Sequence, residues 1–496
     1  MRKIKEKRDL CYLNISEAAR LISNKEISCY ELLSSVYDRI EETEAKIRAF
    51  ITLVDRKVAL KEAKKRDKFL KNSKNISPLF GIPFSVKDSF VTKEIRSTAA
   101  SDVLKNYIGQ YDATVVSRLK KAGAILIGKT NLDEFCLGFT TETSAFGPTS
   151  NPFDHKRVPG GSSGGSAASV SVGSSMFSIG SEHYDSIRQP AAWCGVVGFK
   201  PTYGTVSRYG IIAMASSLEC PGPITKTVTD ASLVLSEIYG SDIKDANSFG
   251  NPKRKIFKIK PTEKLRLGIS RDYLNDFIDS EVKDNFDSIL KLYKESGFEI
   301  KEISLPPIKH TSSIFEVLYR SEVASNLARY DGIRYPKKFK DVLNLEEIYE
   351  KTRQQFGPLL KYLIITDLRS ISGGEFEKIY LDALKLRKIT DMYFDDIFSN
   401  VDLVISPMSP TFPFKKGFYA DGEYRGNTKT DKYRPFIDMV AQLPSLSGLP
   451  GISVPCGFVR DLPLGLNIYG PRLSEDKIFS LAYYFENQKE DFVKNH

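Results

Sequence analysis

The chain has few of the residues that build metal centres, disulfide frameworks or membrane spans. Its 496 residues include only four histidines, His155, His183, His310 and His496. They show no metal-ligand spacing, so no metal site is expected. The six cysteines, Cys11, Cys29, Cys136, Cys194, Cys220 and Cys456, are dispersed without a CxxC pair. That pattern argues for reduced thiols in a reducing compartment, cytoplasmic or organellar. No uninterrupted apolar run nears the ~20 residues a membrane span needs, and mean hydropathy is −0.26, so no membrane partner is expected. Met1–Leu10, MRKIKEKRDL, is basic but leads into no apolar core, so a cleaved secretory signal is not expected. There is no GxxxxGK[ST] phosphate loop, so no ATP chemistry is expected of this chain itself.

Charge is present in excess. A net charge of +10 and a pI near 9.0 favour anionic partners, RNA among them. No nucleic-acid fold motif accompanies the charge, and a lysine-rich surface is the simpler reading. The most basic stretch, Lys253–Lys264 (KRKIFKIKPTEK), reads as an exposed connector.

Helical and strand patterns alternate along the chain. Ile15–Leu53 carries helical periodicity, with Ser28 as a helix cap and Glu31 three residues on. Val54–Asn72 reads as a charged helix, Pro83–Asp88 as a strand, Ala113–Ala122 as a helix and Ile125–Gly128 as a strand. Later come a helix at Ala231–Tyr239, a strand at Leu265–Ile269, a helix at Glu281–Ser296 and a strand at Glu299–Ser304. This alternation predicts an α/β fold: a mixed, mostly parallel sheet covered by helices on both faces. The C-terminal NQKEDFVKNH is polar and expected to fray.

Between Val158 and Thr202 the chain reads VPGGSSGGSAASVSVGSSMFSIGSEHYDSIRQPAAWCGVVGFKPT. Ser162 sits in a knot of glycines, and Ser186 precedes Ile187-Arg188-Gln189-Pro190. Upstream, Lys87 lies in the apolar FGIPFSVKDSF. A Gly/Ser run is by itself more often a linker. Here a run of small and apolar residues follows to Ile179, which suits a packed helix better. Lysine and two serines suffice for acyl transfer without histidine. Serine is the nucleophile, and a lysine amine is the base once burial disfavours its charged form. A Ser186–His183 pair is the rival arrangement, with no orienting acid evident; His183 reads more simply as a helix N-cap or a solvent-facing loop residue.

This stretch resembles the amidase signature family. The resemblance implies a catalytic set of Lys87, Ser162 and Ser186, with a cis Gly161–Ser162 peptide. It also implies one α/β/α sandwich spanning 1–496. Within it, 1–75 would be a helical region, 80–240 the signature core, 242–264 a basic surface excursion and 265–485 the second half. TNLDEF (130–135), TTETSAFGPTSNPFD (140–154), KPTYGTVSRYGIIAMASSLE (200–219), SEVASNLARYDGIRY (321–335) and LSGLPGISVPCG (446–457) resemble the glutamine-hydrolysing A subunits of tRNA-dependent amidotransferases. Ser321 and Ser325, four apart, would share a helix face.

That branch implies a glutaminase, with no cofactor of its own, in a heterotrimer. A large kinase/transamidase partner, the B subunit, would use ATP and Mg²⁺ on misacylated Glu-tRNA(Gln) or Asp-tRNA(Asn). A small partner, the C subunit, would wrap this chain. Gly138, Gly161 and Asp438 would bind glutamine, and the backbone N–H groups of His183, Tyr184, Asp185 and Ser186 would form the oxyanion hole. The chain departs from the family pattern here: Glu182-His183-Tyr184-Asp185 stands where Asp-Thr-Gly-Gly is usual. The family's substrate arginine and tyrosine fall near Leu363 and Phe315, leaving Arg369 or Tyr319 as substitutes. A stand-alone amidase and a catalytically weak structural subunit are the other readings.

Overall fold

A computed structural model describes residues 7–72, 76–251, 259, 264–274, 277–335, 339, 342, 344–372, 376–417 and 433–494. Eleven strands form one mixed sheet flanked by helices. In chain order they are β1 (Phe50–Leu53), β2 (Pro83–Lys87), β3 (Ile125–Thr130), β4 (Phe177–Glu182), β5 (Val197–Lys200) and β6 (Cys220–Thr225). The second half adds β7 (Arg266–Ile269), β8 (Glu299–Glu302), β9 (Leu403–Pro407), β10 (Gly451–Val459) and β11 (Leu462–Tyr469). Their spatial order is β1-β3-β2-β4-β6-β5-β10-β11-β9-β7-β8. One buried apolar cluster draws on both halves, with Phe84, Phe177, Phe199, Leu403 and Leu466 among its members.

The sheet is mixed as expected but not mostly parallel. Six of its ten pairings are antiparallel, and four are parallel. The sequence pattern shows crossovers better than hairpins, because a hairpin needs only two residues. Arg460 and Asp461 supply such a turn between β10 and β11, both at positive φ (53° and 60°), as a primed turn requires.

The first helices are Ile15–Ser23 and Cys29–Ile47, each opened by a capping box: Asn14 with Glu17, and Ser28 with Glu31 as anticipated. The helical pattern does not reach Leu53. Arg48 adopts a left-handed conformation (φ 57°) and closes the helix. The aromatic and β-branched Phe-Ile-Thr then pairs with β3. Likewise, the run after the glycine knot is not one helix to Ile179. The helix Gly164–Ser171 ends before Gly173 (φ 83°), and the rest enters β4. The C-terminal helix Glu475–Lys494 carries on into the segment expected to fray, whose residues 495–496 lie outside the described residues. Within the helix Ile308–Leu327, Ser321 is buried while Ser325 is exposed. Of the basic excursion, 252–258 and 260–263 lie outside the described residues.

Strands β2, β3 and β4 are neighbours and parallel. Their C-terminal ends lie together, where open α/β sheets place their ligands. Lys87 is the last residue of β2 and Glu182 the last of β4.

Candidate active site

Lys87 is fully buried at the end of β2. Its Nζ donates to Ser162 Oγ at 2.7 Å, to the Ser181 carbonyl at 3.1 Å and to Ser181 Oγ at 3.3 Å. The Gly161–Ser162 peptide is cis. Gly161 has no room for a side chain, since a Cβ there would lie 2.2 Å from Asp133 Oδ2. Gly138 (φ 135°) is confined by the same carboxylate, at 2.6 Å. These two glycines, expected at the substrate, therefore pack against Asp133. Burial lifts the Asp133 carboxyl to about 6 despite hydrogen bonds from Thr141 and Thr143 and the nearby charge of Lys87. Asp133 lies inside the TNLDEF motif, but its role as a buttress has no local signal.

Ser186 is nearly buried, 4% exposed, and its carbonyl accepts from the Ser163 N–H at 3.2 Å. Among the described residues, no hydrogen bond joins the Ser186 and Ser162 hydroxyls. The structure thus joins Lys87 to Ser162 and brings Ser186 beside them through the backbone.

The loop into Ser186 is held from both sides. Glu182 Oε2 accepts the N–H groups of Ile187 (3.0 Å) and Arg188 (3.2 Å), and Oε1 accepts Arg188 Nε at 2.8 Å. Arg188 is fully buried and reaches on to Asn467 Oδ1 at 3.0 Å. The Tyr184 carbonyl accepts from Ser445 Oγ at 2.8 Å and Arg188 Nη2 at 3.2 Å. Among the described residues, the Ser186 N–H donates to no group, and the Asp185 N–H meets its own carboxyl. Read as an oxyanion hole, this loop would offer the backbone N–H groups of His183, Tyr184, Asp185 and Ser186 to an oxyanion beside Ser186.

The Asp185 carboxyl is buried beside that place and held above the ordinary carboxylate range. It is 5% exposed and lines a small cavity with Phe139, Gln189, Met408, Phe414 and Ile437. Burial first, and then the Glu182 charge, push its carboxyl up to about 8. The folded state therefore holds a proton that the unfolded chain releases near its ordinary value of 3.8. The stability that Asp185 contributes is complete below that value and is lost as pH rises through about 8. Each pH unit in the window costs up to about 1.4 kcal/mol. Urea denaturation from pH 5 to 8 is expected to show this decline on top of that from Asp133, and Asp185→Asn is expected to lessen the slope. An unchanged slope in the variant would place the titration elsewhere.

His183 is neither a helix cap nor solvent-facing. It is 2% exposed, and its Nε2 contacts Glu219 Oε2. Burial would raise the Glu219 carboxyl, but the charge and hydrogen bond of His183, with Lys87 behind them, hold it below the ordinary value. Glu219 is an acid beside His183 that was not evident from the sequence. It closes the segment KPTYGTVSRYGIIAMASSLE, far from His183 in the chain. The His183 ring is engaged by Glu219 and, edge-on, by Tyr319, and among the described residues no hydrogen bond joins it to Ser186.

Asp438, 6% exposed, accepts from the Tyr184 hydroxyl, from Gln442 Nε2 at 3.1 Å and from Ser312 Oγ at 3.0 Å. The Tyr184 ring meets Phe315 edge-on at 5.4 Å. Phe315 stacks on Tyr319 at 5.5 Å, and Tyr319 meets His183 edge-on at 6.1 Å. Tyr319 is thereby committed to packing, while the side chain of Arg369 lies outside the described residues. Among the described residues, no three of His, Cys, Asp and Glu converge as a metal group, and no helix is long and apolar enough to cross a membrane.

The amidase family model matches residues 31–479. The chain belongs to the amidase family. Several curated members are similar along nearly their whole length. The A subunit of glutamyl-tRNA(Gln) amidotransferase from Carboxydothermus hydrogenoformans is 42% identical over 486 residues, covering 97% of this chain and 98% of the relative. That of Bacillus licheniformis is also 42% identical, over 476 residues, covering 95% and 96%. Among solved amidase-family structures, the same subunit from Thermotoga maritima superposes with a TM-score of 0.77 at 33% identity, covering 96% of this chain and 94% of that one. The peptide amidase of Stenotrophomonas maltophilia gives a TM-score of 0.79 at 26% identity, covering 96% and 97%. The resemblance already implied the buried lysine and the cis peptide. It does not account for Glu182–Asp185.

Proposed function

We propose that this amidase hydrolyses the side-chain amide of glutamine, as the A subunit of a tRNA-dependent amidotransferase. The observation that carries the reading is the buried Lys87 Nζ at 2.7 Å from Ser162 Oγ, on the strand end next to Ser186. The full-length similarity to amidotransferase A subunits supports the choice of substrate.

In this reading the Lys87 amine takes the Ser162 proton as Ser162 takes that of Ser186. Ser186 Oγ attacks the carboxamide carbon, and the backbone N–H groups of the loop His183, Tyr184, Asp185 and Ser186 serve the developing oxyanion. The relay returns its proton to the departing nitrogen and ammonia leaves. Water then hydrolyses the glutamyl ester by the same relay. Asp438 pairs with the substrate's α-ammonium group, and Gly138 and Gly161 shape the wall through Asp133. The ammonia passes to the large B subunit, which uses ATP and Mg²⁺ on Glu-tRNA(Gln) or Asp-tRNA(Asn). The small C subunit completes a cytoplasmic or organellar heterotrimer. The whole chain serves as one amidase sandwich.

The test is ammonia release from glutamine by the full-length chain, alone and with its two partner subunits, beside a Ser186→Ala control. Release that needs the partners and disappears in the control is expected. Release from other carboxamides but not glutamine would make it a stand-alone amidase. No Ser186-dependent release from any amide would leave a structural subunit.

A further inference from the structure

Tyr184 stands two residues before Ser186, at a position where the family pattern has glycine. Its hydroxyl reaches across the fold to Asp438, 254 positions later. We infer that Tyr184 is an internal competitor for the substrate's ammonium group, and so determines how tightly the site takes an α-amino-acid amide. The inference rests on the reading of Asp438 as the ammonium subsite.

Four observations carry it. Asp438 is buried, and a carboxylate there must be kept hydrogen-bonded. Tyr184 and Gln442 do this at Oδ1 and Ser312 at Oδ2. A carboxylate has about two lone-pair positions on each oxygen, so a substrate ammonium that reaches Oδ1 must displace Tyr184 or Gln442. Gln442 comes from the same helix as Asp438, four residues on. Ser312 comes from the helix Ile308–Leu327. Tyr184 comes from the loop that carries the nucleophile, and its bond to Asp438 is charge-assisted, roughly twice as strong as a neutral one.

The tyrosine is also set up to let go without unfolding the loop. Its carbonyl is held by Ser445 and Arg188, so the backbone stays in place while the side chain turns. The ring rests edge-on against Phe315, which stacks in turn on Tyr319. The altered residues of the loop and the altered residues of the pocket thus pack on one another. Binding of a substrate ammonium at Asp438 releases a hydroxyl only two residues from Ser186. An amide that lacks the ammonium group leaves the Tyr184–Asp438 bond intact.

The experiment is calorimetric titration of the full-length Ser186→Ala chain with glutamine and with glutaramate, which is glutamine without its α-amino group. Tyr184→Phe keeps the ring and removes the competing hydroxyl. It is expected to lower the Kd for glutamine about tenfold and to leave the Kd for glutaramate within about twofold. Four results each overturn the inference: an unchanged or weaker glutamine Kd, an equal gain for both ligands, a gain for glutaramate alone, or no binding of glutamine by either chain. Failure of the glutaminase reading shows separately. If glutamine binding tightens in the Tyr184→Phe chain, but the chain with Ser186 restored releases no ammonia with its partners present, the competition stands and the reaction assignment falls.

Discussion

Ser186→Ala is expected to lower glutamine hydrolysis by about 10⁶-fold, and Lys87→Met by nearly as much. Residues that act as one relay give single losses close to the loss of the whole set. Lys87, Ser162 and Ser186 are such a set if the proton path runs through the 2.7 Å contact between Lys87 and Ser162. The Ser162→Ala/Lys87→Met double variant should then cost little more than either single change, whereas independent contributions would multiply. The measurement is single-turnover ammonia release with circular dichroism to establish folding. Multiplicative losses would dissolve the relay, and a Ser186→Ala chain within about tenfold of the native rate would move the nucleophile elsewhere.

The second large effect falls on stability. Arg188→Ala is expected to cost about 3–5 kcal/mol, because it leaves the Glu182 carboxylate buried without its cation. Both side chains are fully buried and 2.8 Å apart. Replacing the pair together, as Glu182→Gln with Arg188→Met, should recover much of the loss, since the cost comes from the orphaned charge and not from absence of the bond. Urea midpoints of the two singles and the double give the coupling directly. Equal and additive losses would show that Arg188 acts through packing alone. Activity should follow stability only in part, because Glu182 also holds the N–H groups of Ile187 and Arg188 that shape the turn after Ser186.

Much of this was legible from the residues. Lysine in an apolar strand, serine among glycines and the second serine are local features, and Ser28 with Glu31 announces its helix within four residues. The strand Phe50–Leu53 was not legible, because four residues continuing a helical pattern show their strand character only against β3. The antiparallel pairings of β4, β5 and β6 depend on partners brought together by the whole sheet. The altered loop was visible as a departure, yet its meaning lay in distant residues. His183 takes its role from Glu219, Tyr184 from Asp438 and Asp185 from the cavity that surrounds it. Asp185 in particular reads from sequence as a charge beside an oxyanion, and burial pushes its carboxyl up to about 8.

The reach of Arg188 sets an order of events during synthesis. Its guanidinium meets the Val440 carbonyl and the Asn467 side chain, 252 and 279 positions further along the chain. At ~5–20 residues per second, a ribosome needs roughly 15–55 s after making Arg188 to produce Asn467. Until then the turn after Ser186 lacks its final support. A nascent or truncated chain ending before β11 should therefore carry Lys87, Ser162 and Ser186 and still be unable to use them. The nucleophile would be armed only once almost the entire polypeptide exists, so free glutamine would be safe from fragments.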